Sequence, residues 1–427
     1  MKMRAVILFL SLCLSISTCA NHAAENCAET WTPRALPQSF PSGTGVNIHF
    51  TDGQSGEIKM IADAGFRWVR MDFKWEVTEK ARGVYDFAPY ERLMAALDEN
   101  HLRAYFILDY GNPLYTPDKA VRTEEARQAF ARWAVAAAKH FHDRGIIWEL
   151  FNEPDIEIFW PPQPNVDEYI ALALTVSRAW RAQVPNEKLI GPATAAIDVP
   201  FLEACFKAGL LQYWSGVSVH PYRKTGPETA AADYCRLRKI IQSYNGGAFD
   251  SVPIVSGEWG YSAVLGRLNE TEQAELLARE LLTNAANGIP ISIWYDWRDD
   301  GADASEPEHR FGIVRHEYRT NSNYPFEPKP AYFAAKTVNG FLDGFNFKKR
   351  VSVRSSEDFV LLFSRGGVQR IAVWTTASRP HTVNILLPNG TYIINNLSGA
   401  KVRDVSSNSN GVSVELSRSP IFITAKN

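Results

Sequence analysis

The chain has 427 residues, of which 45% are hydrophobic and 12% aromatic, and its 45 Lys and Arg nearly balance its 47 Asp and Glu. This length predicts one large domain or two of ordinary size, with enough apolar residues for a packed core. The net charge of -2, without a long basic run, argues against nucleic acid as the main partner. Twelve tryptophans fit either a large core or a surface that stacks flat ligands, so the composition allows an enzyme or a binding protein.

The first predicted element is an export signal. Positive residues precede the apolar run 5–16, which is too short to span a bilayer, and small residues follow it. This pattern predicts a signal peptide over 1–24, cleaved between Ala20 and Ala24, and a secreted or periplasmic mature protein. Lipid anchoring at Cys19 is the less favoured alternative. We expect no membrane span in the mature chain, which we interpret as a monomer.

Three cysteines remain after cleavage, namely Cys27, Cys205 and Cys235. An oxidising compartment permits a disulfide between Cys205 and Cys235, but three cysteines cannot all pair within one chain. Cysteine and histidine pairs with the spacing of a metal site are absent from the sequence. We therefore predict neither a metal nor a cofactor.

Short β-rich runs alternate with amphipathic helical segments over residues 43–340. The predicted strands are Val46–Phe50, Arg67–Phe73, Arg103–Asp109, Ile146–Asn152, Lys188–Thr194, Gly216–His220, Ile254–Glu258 and Ile291–Trp297. The clearest helices are Glu124–Arg144, Val166–Val184 and Glu270–Asn287. Strands that are each followed by a helix, in this number, predict the α/β fold known as a (β/α)8 or TIM barrel. A doubly wound open sheet is the alternative, although no phosphate-binding glycine turn follows the first strand.

The pattern changes beyond Gly340 to short runs with period-two alternation and intervening turns. These runs are Val351–Val353, Phe359–Phe363, Arg370–Trp374, Thr382–Leu387, Thr391–Asn395, Val412–Leu416 and Ile421–Thr424. They predict an antiparallel β-sandwich over 341–427, with the Pro-spaced segment 31–42 joining it or packing under the barrel. Because aromatic residues are sparse in this region, we expect it to pack against the barrel and not to bind glycan.

Two glutamates follow predicted strands at the positions where a barrel carries its chemistry. The fourth strand leads to Glu153 in an Asn-Glu-Pro triplet, and the seventh leads to Glu258 in a Glu-Trp-Gly triplet. Active sites of this fold lie at the carboxyl ends of the strands, so the two side chains should face each other across the barrel mouth. Glycoside hydrolysis requires such a carboxylate pair flanking the scissile bond. Asn-Glu-Pro alone would more often be a simple turn, and the second glutamate favours catalysis.

With these motifs the chain resembles the retaining glycoside hydrolases of the (β/α)8 clan that carry the acid/base on strand four and the nucleophile on strand seven. The segments VSGEWGYS, WYDWRDDG and PEHRFGIV and the C-terminal sandwich are most similar to family 39, and within it to the bacterial exopolysaccharide (Psl-type) endoglycosidase group. The resemblance covers residues 43–427 and implies double displacement with Glu153 as acid/base and Glu258 as nucleophile. Phe151 departs from the tryptophan that family 39 often has there, which argues against transferring substrate preference from xylosidases.

The same resemblance implies supporting roles for residues near the glutamates. Arg70 matches the strand-two arginine, which would keep Glu258 ionised and aimed. Asn152 would bind the sugar 2-hydroxyl. Tyr222 would hydrogen-bond Glu258, and His220 would line the same edge. The structural alternatives are an ion pair for Arg70, a turn-stabilising side chain for Asn152 and a satisfied core histidine for His220.

Further sugar contacts are predicted near other strand ends. Trp294 on the eighth strand is expected to be the stacking platform, with Trp297 in the core because residues alternate across a strand. Trp75 after the second strand and Asp109 at the end of the third are the other candidates for substrate binding.

The sequence therefore predicts a secreted retaining β-glycosidase acting on a polysaccharide or oligosaccharide. Endo-action on a bacterial exopolysaccharide rests on the subgroup resemblance alone. An exo-acting β-xylosidase or β-glucosidase is the enzymatic alternative, and a non-catalytic carbohydrate-binding or biofilm scaffold protein is the alternative of another class. Retention requires the two carboxyl groups to be about 5–5.5 Å apart, whereas inversion requires roughly 6.5–9.5 Å.

Overall fold

The computed structural model describes residues 40–246, 252–353 and 355–426. The predicted signal peptide, Cys19, Cys27 and most of the segment 31–42 lie outside the described residues. Among the helices in the described ranges, none has the length and apolar character needed to cross a membrane.

Eight parallel strands form a closed barrel in the order β1-β8-β7-β6-β5-β4-β3-β2. They are β1 (Gly43–Asn47), β2 (Trp68–Lys74), β3 (Arg103–Asp109), β4 (Ile147–Leu150), β5 (Lys188–Thr194), β6 (Gly216–Val219), β7 (Ile254–Trp259) and β8 (Ile291–Trp294). Each strand pairs with the next one along the chain, and β1 closes the barrel against β8. The (β/α)8 prediction is confirmed, and the alternative of an open sheet is wrong.

The helices surround the barrel and place its strands. They are α1 (Glu57–Asp63), α2 (Ala88–Glu99), α3 (Glu124–His140), α4 (Val166–Gln183), α5 (Val199–Lys207), α6 (Ala230–Tyr244), α7 (Glu270–Ala286) and α8 (Pro330–Leu342). Helix α3 is capped by Thr123, whose side chain accepts a hydrogen bond from the Ala126 backbone N–H. Helix α7 begins with a capping box formed by Asn269 and Glu272. These caps satisfy N–H groups that the first helical turn leaves without a partner.

Shorter elements decorate the barrel. The irregular loops contain a helix at Trp75–Thr78, a hairpin of Glu79–Ala81 with Val84–Tyr85, and 3-10 turns at Leu210–Gln212, Pro227–Thr229 and Pro307–Arg310. Between β8 and α8, the strands β9 (Val314–Tyr318) and β10 (Phe326–Pro328) pair antiparallel.

The barrel interior changes from apolar to polar toward the mouth. The lower layer contains buried side chains including Trp68, Ile147 and Val255. Side chains alternate along a strand, so the next inward positions on β2 and β4 are Arg70 and Glu149. Both are almost completely buried, at 1% and 0% exposed. This polar layer lies directly below the carboxyl ends of the strands.

The C-terminal strands form the predicted antiparallel sandwich. They are β11 (Asn346–Arg350), β12 (Asp358–Arg365), β13 (Val368–Thr375), β14 (His381–Ile385), β15 (Gly390–Asn395), β16 (Lys401–Ser407), β17 (Val412–Leu416) and β18 (Ile421–Ala425). A six-stranded sheet, β11-β12-β13-β18-β15-β16, faces the pair β14-β17 across an apolar core. The edge strands β11 and β16 were not predicted because their sequences, NFKKR and KVRDVSS, carry charges that edge strands tolerate. The predicted strand Val351–Val353 is wrong, since pairing ends at Arg350.

The large sheet packs on the barrel helices α7 and α8. The ring of Phe341 in α8 lies 5.6 Å from that of Phe363 and 4.9 Å from that of Phe422. The indole of Trp374 donates a hydrogen bond to Glu228 across the same contact, at 2.7 Å. Phe363, Trp374 and Phe422 of the sandwich thus face the barrel, as expected for structural packing.

Cys205 in α5 and Cys235 in α6 are both buried, and no disulfide joins these two described residues. Cys205 belongs to the apolar core between helices and barrel. Burial raises the pKa of its thiol, which keeps the side chain neutral. The bridge that the sequence permitted is therefore absent.

Candidate active site

Glu153 and Glu258 lie together at the barrel mouth. Glu153 is three residues beyond the end of β4, and Glu258 lies near the carboxyl end of β7. One carboxylate oxygen from each, together with a ring nitrogen of His220, lie within 4.8 Å of one another. The nearest oxygens of the two carboxyl groups therefore lie close together, which fits the closely spaced class of carboxylate pairs better than the class at roughly 6.5–9.5 Å that leaves room for a water.

The backbone before Glu153 has an unusual conformation that aims its side chain. Phe151 and Glu153 have φ angles of 70° and 45°, in the left-handed region that non-glycine residues seldom adopt. The backbone N–H of Glu153 donates to the carbonyl of Ala193 at 2.9 Å, which ties this turn to β5. The Glu153 side chain is buried. A solvated turn, the simple reading of the triplet, does not describe this segment.

Arg70 is the hub of the site. Its Nη1 donates to Glu258 Oε2 at 2.5 Å and to Asn47 Oδ1 at 3.1 Å. Its Nη2 donates to Asn152 Oδ1 at 2.8 Å. Its Nε and Nη2 both donate to Glu149 Oε2, at 2.9 and 2.7 Å. The contact with Glu258 was expected for the strand-two arginine, whereas the ion pair with Glu149 was not foreseen.

His220 connects Arg70 with Glu153. Its Nε2 lies 3.2 Å from Arg70 Nη2, which can only donate, so Nε2 accepts and the proton of the neutral ring is on Nδ1. That Nδ1–H donates to Glu153 Oε1 at 2.8 Å. Burial lowers the pKa of His220 to about 4, although the charge of Glu258 opposes this, so the ring is neutral at neutral pH.

Tyr222 and Arg70 hold the two oxygens of Glu258. The Tyr222 hydroxyl donates to Oε1 at 2.8 Å, while Arg70 binds Oε2. The Glu258 side chain remains 13% exposed, so it is fixed in orientation and still open to the barrel mouth. A carboxylate held in this way can act on a bound ligand without reorganising.

The two carboxyl groups have different electrostatic surroundings. Burial raises the pKa of Glu153 to about 7; Arg70 opposes the rise, and the charges of Glu149 and Glu308 add to it. Glu258, by contrast, has a direct ion pair with Arg70. Carboxyl groups in such different environments can take separate roles, one as a proton donor and the other as a charged group.

Three predicted sugar contacts, Trp294, Trp75 and Asp109, have side chains that are 0% exposed, so the structure does not bring them to the surface of the site. Trp294 points into the core at the end of β8. Trp75 stacks on Tyr115 at 5.0 Å and donates its indole N–H to Glu79. Asp109 is covered at the end of β3, and burial together with Asp72 raises its pKa well above the ordinary value.

Tyr295, directly after β8, is an aromatic side chain near the mouth that sequence reasoning missed. Strand β8 ends at Trp294, whereas the predicted strand continued to Trp297. The alternation of side chains along a strand therefore does not apply to Tyr295. Its ring is half-buried and lies 5.6 Å from the ring of His49 and 5.2 Å from that of Phe311. Its hydroxyl donates to Glu308 at 3.3 Å. The signal that could have found it is the position directly after the last strand.

A cluster of three ionisable side chains, His49, Asp296 and Asp300, lies beside Tyr295. His49 Nε2 lies 3.4 Å from Asp296 Oδ2, and Asp300 is close enough for the three to surround a cation. Burial lowers the pKa of His49, but Asp296 and Asp300 outweigh it and raise the value to about 9. Burial raises the pKa of Asp296 to about 7, although His49 opposes the rise, so protonated His49 faces a carboxyl group that is only partly ionised at neutral pH.

A cavity of about 500 Å³ lies beside the site, over β2 and β3. Tyr110 and Phe159 form part of its wall, with ring centroids 5.4 Å apart and planes 6° from parallel. The Lys119 ammonium lies 5.0 and 4.7 Å from these two rings. Tyr110 is near enough to Glu153 for the charge of that carboxylate to help raise the pKa of the tyrosine hydroxyl. The cavity lies on the β2–β3 side of the mouth, and its lining residues do not include Glu153 or Glu258.

The sequence matches the family model described as Cellulase (glycosyl hydrolase family 5) over residues 38–301, which is more than half of the chain. A search of curated proteins finds no match. Among solved structures, a family 39 glycoside hydrolase from the gut symbiont Bacteroides cellulosilyticus WH2 superposes with a TM-score of 0.78 and 24% identity, over 92% of this chain and 83% of that one.

Two further solved structures have the same architecture. A family 39 β-xylosidase from Caulobacter crescentus has a TM-score of 0.64 and 17% identity, over 92% of this chain and 98% of that one. A family 30 subfamily 8 xylanase from Clostridium acetobutylicum has a TM-score of 0.65 and 13% identity, over 93% and 97%. At these identities the likeness is one of fold, and it includes the family 39 fold that the sequence motifs indicated. By its family model, the chain belongs to the cellulase family, glycosyl hydrolase family 5, and it is a glycoside hydrolase of the retaining (β/α)8 clan.

Proposed function

We propose that this glycoside hydrolase cleaves a polysaccharide by double displacement, with Glu153 as acid/base and Glu258 as nucleophile. The observation that carries the proposal is the close approach of the two carboxyl groups, with one oxygen of each within 4.8 Å, one group buried and the other paired with Arg70. The spacing suits direct attack on the sugar by one carboxylate, since an attacking water would need a wider gap.

In the first step, protonated Glu153 gives its proton to the glycosidic oxygen while Glu258 attacks the anomeric carbon from the opposite face. The bond from that carbon to the leaving oxygen breaks, and the sugar becomes esterified to Glu258. Arg70 and Tyr222 keep the attacking carboxylate in one orientation. The Asn152 amide oxygen is engaged by Arg70, which leaves its NH₂ group to bind the sugar 2-hydroxyl.

In the second step, the Glu153 carboxylate takes a proton from water, and the water oxygen attacks the anomeric carbon. Glu258 leaves as a carboxylate, and the product has the configuration of the substrate. The Nδ1–H of His220 donates to Glu153 in this ionised state, which steadies the charge between the two steps.

We further propose endo-action on an exported bacterial polysaccharide, with the enzyme secreted through its predicted signal peptide. The cavity over β2 and β3 supports endo-action, since Tyr110 in its wall is near Glu153 and the cavity could hold a further sugar of a long substrate. The stacked rings of Tyr110 and Phe159 provide an apolar wall on this side. The alternative is exo-action on β-xylosides or β-glucosides.

Product analysis distinguishes these modes. We would treat bacterial exopolysaccharides, plant β-glycans and 4-nitrophenyl β-xyloside and β-glucoside with the wild type, Glu258→Gln and the exposed control Glu157→Gln. Oligosaccharides of several lengths, lost only in Glu258→Gln, are the expected result. Monosaccharide as the sole product would overturn endo-action. Glu258→Gln with wild-type turnover would overturn the catalytic assignment, and binding without turnover by all proteins would favour a scaffold.

A further inference from the structure

Glu149 is a fully buried carboxylate that the reaction steps above do not use. It lies in β4, four residues before Glu153, and is 0% exposed. Its Oε2 accepts from two nitrogens of Arg70. Its Oε1 accepts from the Tyr105 hydroxyl at 2.6 Å and from the Ser218 hydroxyl. Each carboxylate oxygen therefore accepts two hydrogen bonds, which is the environment of an ionised group.

The charges around Arg70 do not balance. Its single positive charge contacts both Glu149 and Glu258, so the three side chains together carry a net charge of about −1. Glu258, which is 13% exposed, already gives Arg70 one carboxylate partner, and the second, fully buried negative charge of Glu149 costs free energy. A role in stability alone does not explain why both are present.

We propose that Glu149 is a positioning residue of the active site: it fixes the Arg70 guanidinium and sets a negative charge behind Glu153 and Glu258 that offsets the charge of Arg70. This inference rests on the proposed function, because the roles of Glu153 and Glu258 are themselves proposed.

The positioning follows from the shape of the guanidinium. The group is planar, so the two bonds from Glu149 to Nε and Nη2 also fix the direction of Nη1. That nitrogen is the one that binds Glu258. Glu149 thereby orients the proposed nucleophile through an arginine, without itself contacting the sugar.

The offsetting charge acts on the proposed acid. Burial raises the pKa of Glu153, Arg70 lowers it, and Glu149 raises it again. If the charge of Glu149 were removed, the arginine would act unopposed from this side, and the pKa of Glu153 would fall. The acid would then be less protonated at neutral pH.

The space around Glu149 fits a carboxylate group closely. A Cβ on Gly257 of β7 would come within 2.8 Å of Glu149 Oε1 and 2.9 Å of the Tyr105 hydroxyl. Strand β7 can approach only because glycine has no side chain. Glutamine fits the same space, and the hydroxyls of Tyr105 and Ser218 can accept from its NH₂ group, so Glu149→Gln removes the charge while the hydrogen bonds can remain.

Several other ionisable groups also act on Glu153, and all of them remain in this variant. They are Arg70 of β2, Tyr110 after β3, Asp155 after β4, His220 and Tyr222 after β6, Glu258 of β7 and Glu308 after β8.

The test is a pH titration of the full chain carrying ¹³Cδ-labelled glutamate, followed by NMR. The Glu153 signal is assigned by its loss in Glu153→Gln. We expect a midpoint of about 7 in the wild type and a midpoint lower by roughly one pH unit in Glu149→Gln. The matched control is Glu228→Gln, which removes another buried carboxylate that binds an arginine through two bonds, to Arg279 at 2.6 and 2.8 Å. In Glu228→Gln the titration midpoint of Glu153 should equal that in the wild type.

An unchanged midpoint in Glu149→Gln, or an equal shift in Glu228→Gln, would overturn the proposal and leave Glu149 with a structural role. If Glu149→Gln does not fold, Glu149→Asp takes its place: it keeps the charge, so the midpoint should stay near the wild-type value, and a fall would overturn the proposal. The titration does not depend on turnover. A failure of the proposed catalytic roles would be seen separately, as wild-type activity in Glu258→Gln.

Discussion

His220 binds Arg70 through one ring nitrogen, at 3.2 Å, and Glu153 through the other, at 2.8 Å. Arg70 in turn binds Glu258, so an unbroken series of buried hydrogen bonds joins the two carboxyl groups of the site. The ring stays neutral in this position and acts as a fixed donor to Glu153. The orientation of the two glutamates is therefore determined jointly, although they come from strands on different sides of the barrel.

The first prediction concerns the leaving group. Glu153→Gln should lower kcat/KM on the natural polymer by about 10²–10⁴-fold, the usual contribution of a general acid. With a 2,4-dinitrophenyl glycoside, whose leaving group needs no proton, the first step should remain near the wild-type rate. Burst kinetics on both substrates check this, with Glu157→Gln as control. An equal loss on both substrates would contradict the acid role.

The pH dependence of kcat/KM should report the protonation of Glu153. Catalysis needs protonated Glu153, so kcat/KM on the polymer should decline above about pH 7, by about tenfold for each further pH unit. The dinitrophenyl glycoside should not show this alkaline limb in its first step, since no acid is required. A limb that persists with the activated substrate would assign it to another residue.

Glu153→Gln should lose activity but gain stability at high pH. The pKa of Glu153 is raised from 4.5 to about 7, so between these values the folded protein binds more protons than the unfolded chain, and stability falls as the pH rises. Above pH 7, Glu153→Gln should be more stable than the wild type by roughly 3 kcal/mol at most. At pH 4 the two should be equal. Urea denaturation at pH 4 and pH 8 measures the difference, and an equal gain at both would refute the linkage.

Tyr222→Phe should weaken the hold on Glu258 while leaving the fold intact. Loss of one hydrogen bond to a charged group is expected to lower kcat/KM by about tenfold, or ~1.5 kcal/mol. Tyr392→Phe is the matched control, because it removes a tyrosine hydrogen bond, to the Pro388 carbonyl, in the distant sandwich. Comparable losses in both variants would show that the effect is not specific to the site.

Of the two aromatic residues at the end of β8, Trp294 should contribute to stability and Tyr295 to substrate binding. Trp294→Ala should destabilise the fold by about 3–5 kcal/mol, since it empties a buried position. Tyr295→Ala should leave the melting temperature within a few degrees and raise KM on the polymer severalfold, since its ring lies at the mouth. Thermal unfolding and steady-state kinetics check both. A stable Trp294→Ala with raised KM would restore the tryptophan as a sugar contact.

Periodicity was sufficient for the barrel because its strands are buried on both faces and bounded by polar turns. It failed where a strand carries charges, as at β16, or where a strand ends early, as at Trp294. The motif residues around Glu153 and Glu258 could be recognised from their sequence context. Glu149 could not, since its burial and its bond to Arg70 depend on closing strands that are distant in the chain.

The contact from Trp374 of the sandwich to Glu228, which also binds Arg279 of α7, has a consequence for how the protein unfolds. A chain cut after α8 would leave this ion pair uncovered and would expose the ring of Phe341 to water. The two domains should therefore melt in a single cooperative transition. The sandwich is then better regarded as a part of the enzyme's folding unit than as an appendage that can be exchanged.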